Sequence, residues 1–228
     1  MNSISALSFL TSLIILLASC NSPVKDKQTE NKVTPKDTAK FQPTSTSTIL
    51  FFGNSLTAGY GLEGQEHAFP ALIENKIDSM GLPYRCVNAG LSGETSAGGK
   101  ERIDWLLKDS VHIFVLELGA NDGLRGIDPA STYKNLSQII TKVKEAYPKC
   151  QFVLAGMKVP PSMGMEYSTE FEAIFPQLAK SYQMILIPFL LDRVAGIPRL
   201  NQSDGIHPTQ EGQLLVAENI WSSLKPIL

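Results

Sequence analysis

Clustered cations, paired histidines, closely spaced cysteines and membrane-length apolar runs are all missing from these 228 residues. Each absence removes a class of function. Nucleic-acid binding rests on a basic patch or stripe; here the formal net charge is −2 and the globular part has no run of Lys and Arg. Metal sites need ligands at short spacings. The three histidines (His67, His112, His207) and three cysteines (Cys20, Cys86, Cys150) lie far apart, with no Cys-x-x-Cys. No metal and no cofactor are therefore expected. A phosphate-cradling G-x-x-x-x-G-K-[ST] loop is also absent. The stretch Gly59-Tyr60-Gly61-Leu62-Glu63-Gly64 satisfies G-x-G-x-x-G, yet it starts six residues after Gly53 and opens no evident helix. Outside the tight strand-to-helix turn that pattern carries no dinucleotide site.

One apolar run does stand out, Ala6 to Ser19, which is short for a membrane span and suited to a signal-peptide core. It ends in Leu17-Ala18-Ser19-Cys20, which resembles a bacterial lipobox, although residues 2–5 lack the usual Lys or Arg. Residues 1–19 are thus expected to be a lipoprotein signal peptide, and Cys20 to be lipidated and to tie the protein to a membrane. That implies a bacterial cell-envelope location, periplasmic or outer-membrane; Asn21 is not the Asp that retains enteric lipoproteins at the inner membrane. The polar, Ser-, Thr-, Lys- and Pro-rich segment to residue 47 cannot bury enough surface to offset its ordering entropy and reads as a disordered tether. As a coil it would reach roughly 30 Å. Residues 21–47 hold five Lys and three acidic residues, a net +2, so the globular part (48–228) carries −4 within a whole-chain charge of −2.

From Thr48 the pattern changes. Short β-rich runs at 48–52, 84–88, 111–116, 151–155 and 184–187 alternate with amphipathic stretches near 68–80, 98–108, 129–146, 169–182 and 209–224. Asp128-Pro129 and Pro208-Thr209 mark two helix starts. Strands separated by helices imply right-handed βαβ units, a parallel sheet and a three-layer α/β/α sandwich. Ligands in such sheets sit beyond the carboxyl ends of the strands, so the chemistry should lie in the turns that leave those ends.

Four of these turns are polar: Gly53-Asn54-Ser55-Leu56-Thr57, Asn88-Ala89-Gly90, Glu117-Leu118-Gly119-Ala120-Asn121-Asp122, and Asp204-Gly205-Ile206-His207 before the last helix. A serine hydroxyl needs a base to become a nucleophile. Histidine oriented by a carboxylate is such a base, and Asp204 and His207 stand three residues apart. A tetrahedral intermediate also needs donors for its oxyanion, which the N–H groups of Ser55 and Gly90 and the amide of Asn121 could supply. Glu117 and Asp122 read as hydrogen-bonded structural carboxylates.

The blocks Gly53-Asn54-Ser55-Leu56-Thr57, Gly90, Gly119-Ala120-Asn121-Asp122 and Asp204-x-x-His207 resemble those of the SGNH (GDSL-like) hydrolase superfamily, nearest its bacterial thioesterase I, lysophospholipase and arylesterase branch. The resemblance implies a flavodoxin-like fold with five parallel strands in the order 2-1-3-4-5. It also implies catalysis by Ser55, His207 and Asp204, and an oxyanion hole of Ser55, Gly90 and Asn121. One departure is Asn54, where the family usually has Asp. The implied activity is hydrolysis of carboxylic esters or thioesters of a small-molecule acyl substrate. A carbohydrate O-acetyl esterase and a non-catalytic, ligand-binding surface lipoprotein are the alternatives. In that strand order Cys86 and Cys150 have two strands between them, a lateral separation of roughly 14 Å, beyond disulfide reach, so two free, largely buried thiols are expected. An acyl pocket is expected from the loops at 123–130 and 157–168, including Met157, Val159, Met163 and Met165.

Overall fold

The computed structural model describes residues 46–228. The expected signal peptide, the lipidation site Cys20 and the tether as far as residue 45 lie outside the described residues. Five parallel strands form one sheet in the order β2-β1-β3-β4-β5: β1 Ser47–Gly53, β2 Tyr84–Gly90, β3 Ile113–Glu117, β4 Gln151–Ala155 and β5 Ile185–Ile187. The first strand begins one residue earlier than the sequence suggests. Ser47 already faces Tyr84 in register and donates its N–H to Pro83 O at 2.8 Å.

The central strands β1 and β3 are largely apolar because of their position. Ile49, Phe51 and Phe52 of β1 and Ile113, Phe114 and Leu116 of β3 are fully buried, so successive residues, which point to opposite faces, all meet core. Helices α2 (Phe69–Ser79) and α7 (Gln210–Leu224) pack on one another, and α3 (Ser96–Leu106), α5 (Pro129–Ala146) and α6 (Met165–Tyr182) form a second contiguous group. Helix α5 shows the local logic. The Asp128 side chain accepts from the N–H groups of Ala130 and Ser131, Pro129 occupies the first turn, and Thr132, Leu136, Ile139, Ile140 and Val143 make a buried stripe.

Helix α6 starts four residues before the expected 169 and continues through Pro176. Its face of Phe171, Ile174, Phe175, Leu178 and Ala179 is buried, which outweighs the roughly 3 kcal/mol that an interior proline costs. Two short helices escape the sequence periodicity altogether, α1 (Ser55–Ala58) and α4 (Ala120–Leu124). Each is about one turn long, too short to show a period. Gly59, the first glycine of the G-x-G-x-x-G pattern, closes α1 in a left-handed conformation (φ +75°) instead of opening a nucleotide-binding helix. Cys86 and Cys150 are free and half-buried, more exposed than expected. Burial first, then Glu74 and Asp78, pushes the Cys86 thiol well above its usual range, and burial pushes Cys150 to about 12. Both remain poor nucleophiles.

Gly90 faces Gly53 across β1–β2 and presses on α1: a Cβ there would stand 2.2 Å from Ala58 N and 2.7 Å from Thr57 C. That contact is with backbone, so α1 would have to move. Gly90→Ala is expected to destabilise the fold by about 1–3 kcal/mol, read as a lowered midpoint in urea with unchanged m-value.

Candidate active site

The site sits where the chain reverses direction across the sheet. From β1 it goes to β2 on one side, then returns to β3 on the other, and the carboxyl ends of β1 and β3 leave a crevice between their outgoing turns. Ser55 is the first residue of α1, two residues beyond β1. Asn54 caps that helix, its Oδ1 accepting from Leu56 N–H at 2.9 Å. As the first helical residue, Ser55 has no intrahelical partner for its own N–H.

His207 and Asp204 arrive on the segment between β5 and α7, held in place by its own hydrogen bonds. Gln202 N–H donates to His207 O at 2.7 Å, and the Gln202 side-chain amide donates to Tyr60 O and Pro208 O. The Tyr60 ring lies 4.7 Å from the His207 ring. The three expected catalytic residues are therefore brought into series. Ser55 Oγ stands 2.9 Å from His207 Nε2, and His207 Nδ1 stands 2.7 Å from Asp204 Oδ2. The other Asp204 oxygen accepts from the N–H groups of Ile206 and His207 at 2.9 and 3.0 Å. Partial burial pushes Asp204 upward, but bonds from the His207 ring, the His207 and Ile206 N–H groups, and the His207 charge outweigh it and hold the carboxyl at about 2. It is ionised whenever the imidazole is in use, so Nδ1 carries its hydrogen and Nε2 is free to accept from Ser55.

The expected oxyanion donors are brought together less evenly. Asn121, in α4, lines the cleft beside Ser55 and spends one amide hydrogen on Glu94 O at 2.9 Å; the second remains. Gly90 does not line that cleft, and its N–H is donated to Asn88 Oδ1 at 3.0 Å. The reason is local. Asn88 donates its own amide to Thr57 O at 2.9 Å, which turns its carbonyl back onto Gly90. In this structure the Ser55 N–H and Asn121 are the available pair.

Asn121 is fixed by its neighbours. Arg102 grips both oxygens of buried Glu94 and donates to Ala89 O, which anchors the segment carrying the Glu94 carbonyl. Asp122, expected to be structural, is fully buried and accepts from the Ser96 N–H, the Ser96 hydroxyl and Thr132. Of the other histidines, His112 accepts from Thr48 N–H at the far end of β1, and His67 does not line the cleft.

The cleft holds about 430 Å³. Ser55 and His207 line it, and Leu124, Met157, Val159, Pro160, Phe189 and Leu191 supply apolar walls. Met157 and Val159 are where the sequence put them. Met163 and Met165 are not in it: Met165 is 86% exposed and borders a separate shallow groove. The wall from Phe189 to Gly196 went unforeseen, although it leaves the carboxyl end of β5 on the same edge as the other turns. Extending the rule used for the first three strands to β5 would have found it.

A hydroxyl already bonded to an oriented imidazole, in the lining of an apolar cleft, places the protein among the enzymes that hydrolyse ester bonds. Residues 51–215 match the GDSL-like Lipase/Acylhydrolase family, and the chain belongs to that family, within the SGNH hydrolases. It is 37% identical over 188 residues to the esterase TesA of Pseudomonas aeruginosa, covering 82% of this chain and 92% of that protein. It is 38% identical over 189 residues to the Escherichia coli K12 thioesterase 1/protease 1/lysophospholipase L1, covering 82% and 88%. Among solved structures, the psychrotrophic esterase EstA of a Pseudoalteromonas species, inhibited by monoethylphosphonate, superposes with a TM-score of 0.74 at 34% identity, covering 79% of this chain and 97% of EstA.

The Asp204 shift has a direction that can be measured. Its folded value, about 2, lies below the ordinary 3.8, so its contribution to stability is present above about pH 4 and is lost as pH falls toward 2. The Tm difference between wild type and Asp204→Asn is expected to be largest above pH 4 and to shrink between pH 4 and 2.

Proposed function

We propose that the enzyme cleaves acyl esters and thioesters through a covalent acyl-Ser55 intermediate. The observation that carries this is the unbroken series Ser55 Oγ–His207 Nε2 and His207 Nδ1–Asp204 at 2.9 and 2.7 Å. His207 takes the Ser55 proton as Oγ attacks the acyl carbon, then gives it to the leaving alcohol or thiol. A water deprotonated by the same nitrogen then releases the acid. Asp204 keeps the proton on Nδ1 and stabilises the imidazolium. The developing oxyanion takes the Ser55 N–H and the second Asn121 amide hydrogen. Gly90 could join them only by giving up Asn88.

The apolar walls support an alkyl acyl group, from short esters to lysophospholipid, over a carbohydrate acetyl ester, whose hydroxyl-rich sugar would find few hydrogen-bond partners on them. The Leu17-Ala18-Ser19-Cys20 pattern and the polar stretch after it support lipidation at Cys20 and a location in the bacterial envelope. A labelled fatty acid incorporated into the wild type and not into Cys20→Ala checks the anchor.

Residues 46–228 are expected to hydrolyse p-nitrophenyl esters and to be labelled by a fluorophosphonate. Ser55→Ala should lose turnover by at least about 10⁴-fold and lose the label, and Asn121→Ala should lose roughly 10²- to 10³-fold. Retained labelling in Ser55→Ala overturns the nucleophile assignment. Ala195, exposed on the cleft wall, offers the substrate test. Ala195→Trp should shift preference from longer acyl chains toward acetate and butyrate, with acetate turnover kept. A wild type confined to acetate would instead favour the acetylesterase reading.

A further inference from the structure

Glu117 ends β3 on the strand Ile113-Phe114-Val115-Leu116-Glu117, the one charged residue in a buried row. It takes no part in the triad, yet all its side-chain hydrogen bonds go to the turn that carries Ser55. Its Oε2 accepts from Asn54 N–H at 3.1 Å and from the Thr57 hydroxyl at 2.8 Å, and its Oε1 accepts from Asn54 Nδ2 at 2.8 Å. A carboxylate in an apolar row is costly unless its bonds are made, and here they converge on one segment.

The polarity of the Asn54 contact sets the rest. With Nδ2 committed to Glu117, Oδ1 must face the other way. There it caps Leu56 N–H at 2.9 Å and stands 3.3 Å from Ser55 Oγ. Ser55 has one proton and two acceptors, His207 Nε2 at 2.9 Å and Asn54 Oδ1 at 3.3 Å, so the orientation of Asn54 governs where the hydroxyl sits between them. We propose that Glu117 and Asn54 form a polarity-matched positioning pair that fixes the turn and hydroxyl of the nucleophile, Glu117 acting through Asn54 without touching substrate. The pairing also gives a reason for Asn at position 54, where the family motif usually has Asp. A second carboxylate would oppose Glu117 with no donor between them unless a proton were shared. The inference rests on Ser55 as nucleophile; fluorophosphonate labelling of the wild type and its loss in Ser55→Ala test that point separately.

Reversing the polarity is the experiment. Glu117→Gln alone turns an NH2 toward the donors of Asn54, donor against donor. In the double variant Asn54→Asp/Glu117→Gln the new amide donates to the new carboxylate. The amide oxygen still accepts from the N–H of residue 54 and from Thr57, and the carboxylate still caps Leu56. With p-nitrophenyl ester as substrate, Glu117→Gln is expected to lower kcat by roughly 10- to 100-fold with KM little changed, in protein still folded by thermal melt. The double variant is expected to recover at least half of that loss on a logarithmic scale. A purely structural carboxylate would lower Tm and leave the kcat of the folded fraction alone. Wild-type kcat in Glu117→Gln, or a double variant no better than the single, overturns the proposal. If Glu117→Gln does not fold, the double variant is compared with Asn54→Ala, and a swap no more active than Asn54→Ala overturns it equally.

Discussion

The contact on which the rest of the site depends joins the ends of β1 and β3. The two strands are neighbours in the sheet, but their outgoing turns diverge, because β1 leads to β2 on one side and β3 leads on to β4 on the other. A divergence of that kind makes a crevice and leaves the turns without a shared ladder. Glu117 bridges it, reaching from the last residue of β3 to the backbone and side chain of Asn54 and to Thr57. Burial pushes its carboxyl up to about 7 against the opposing bonds from Thr57 and Asn54. The cap of α1, the place of Ser55 and its distance to His207 all depend on that junction.

Around it the site divides into a dry wall and a hydrogen-bonded rim. The wall is built largely from the segments that leave β4 and β5, Met157 to Pro161 and Phe189 to Gly196, with Leu124 from the segment after β3. The rim is built from the turns that leave β1 and β3, backed by the turn after β2, where nearly every side chain is already engaged. Asn121 is held by Glu94, Glu94 by Arg102, and Asp122 by Ser96 and Thr132. Preorganised donors of this kind need no rearrangement as charge develops. Gly90 shows the converse: its N–H is satisfied by Asn88, and so it is withdrawn from the cleft.

Much of this is legible in the residue pattern. Helix α5 begins and ends where Asp128-Pro129 and the apolar period place it, at Pro129 and Ala146, since a side-chain cap and a long buried stripe act locally. The same pattern starts helix α6 too late, and the helix's unbroken passage through Pro176 depends on burial of Phe171, Ile174 and Phe175, which only the packed core supplies. The one-turn helices α1 and α4 carry the two residues that matter most at the cleft, Ser55 and Asn121, yet one turn has no period to read.

The sequence by itself determined the kinds of groups present and their order: four polar turns after strands, a serine, an Asp204–His207 pair at local spacing, and strands apolar on both faces. Those are properties of short segments, set by propensity, capping and periodicity. Only the tertiary structure decided which hydrogens and lone pairs remain free. Ser55 and His207 meet across 152 residues of chain, Gly90 loses its N–H to Asn88, Asn121 keeps one amide hydrogen, and Glu117 takes hold of Asn54. A hydrogen bond is fixed by distance and direction to within a few tenths of an ångström, and that precision exists only once the strands are in register and the core is closed.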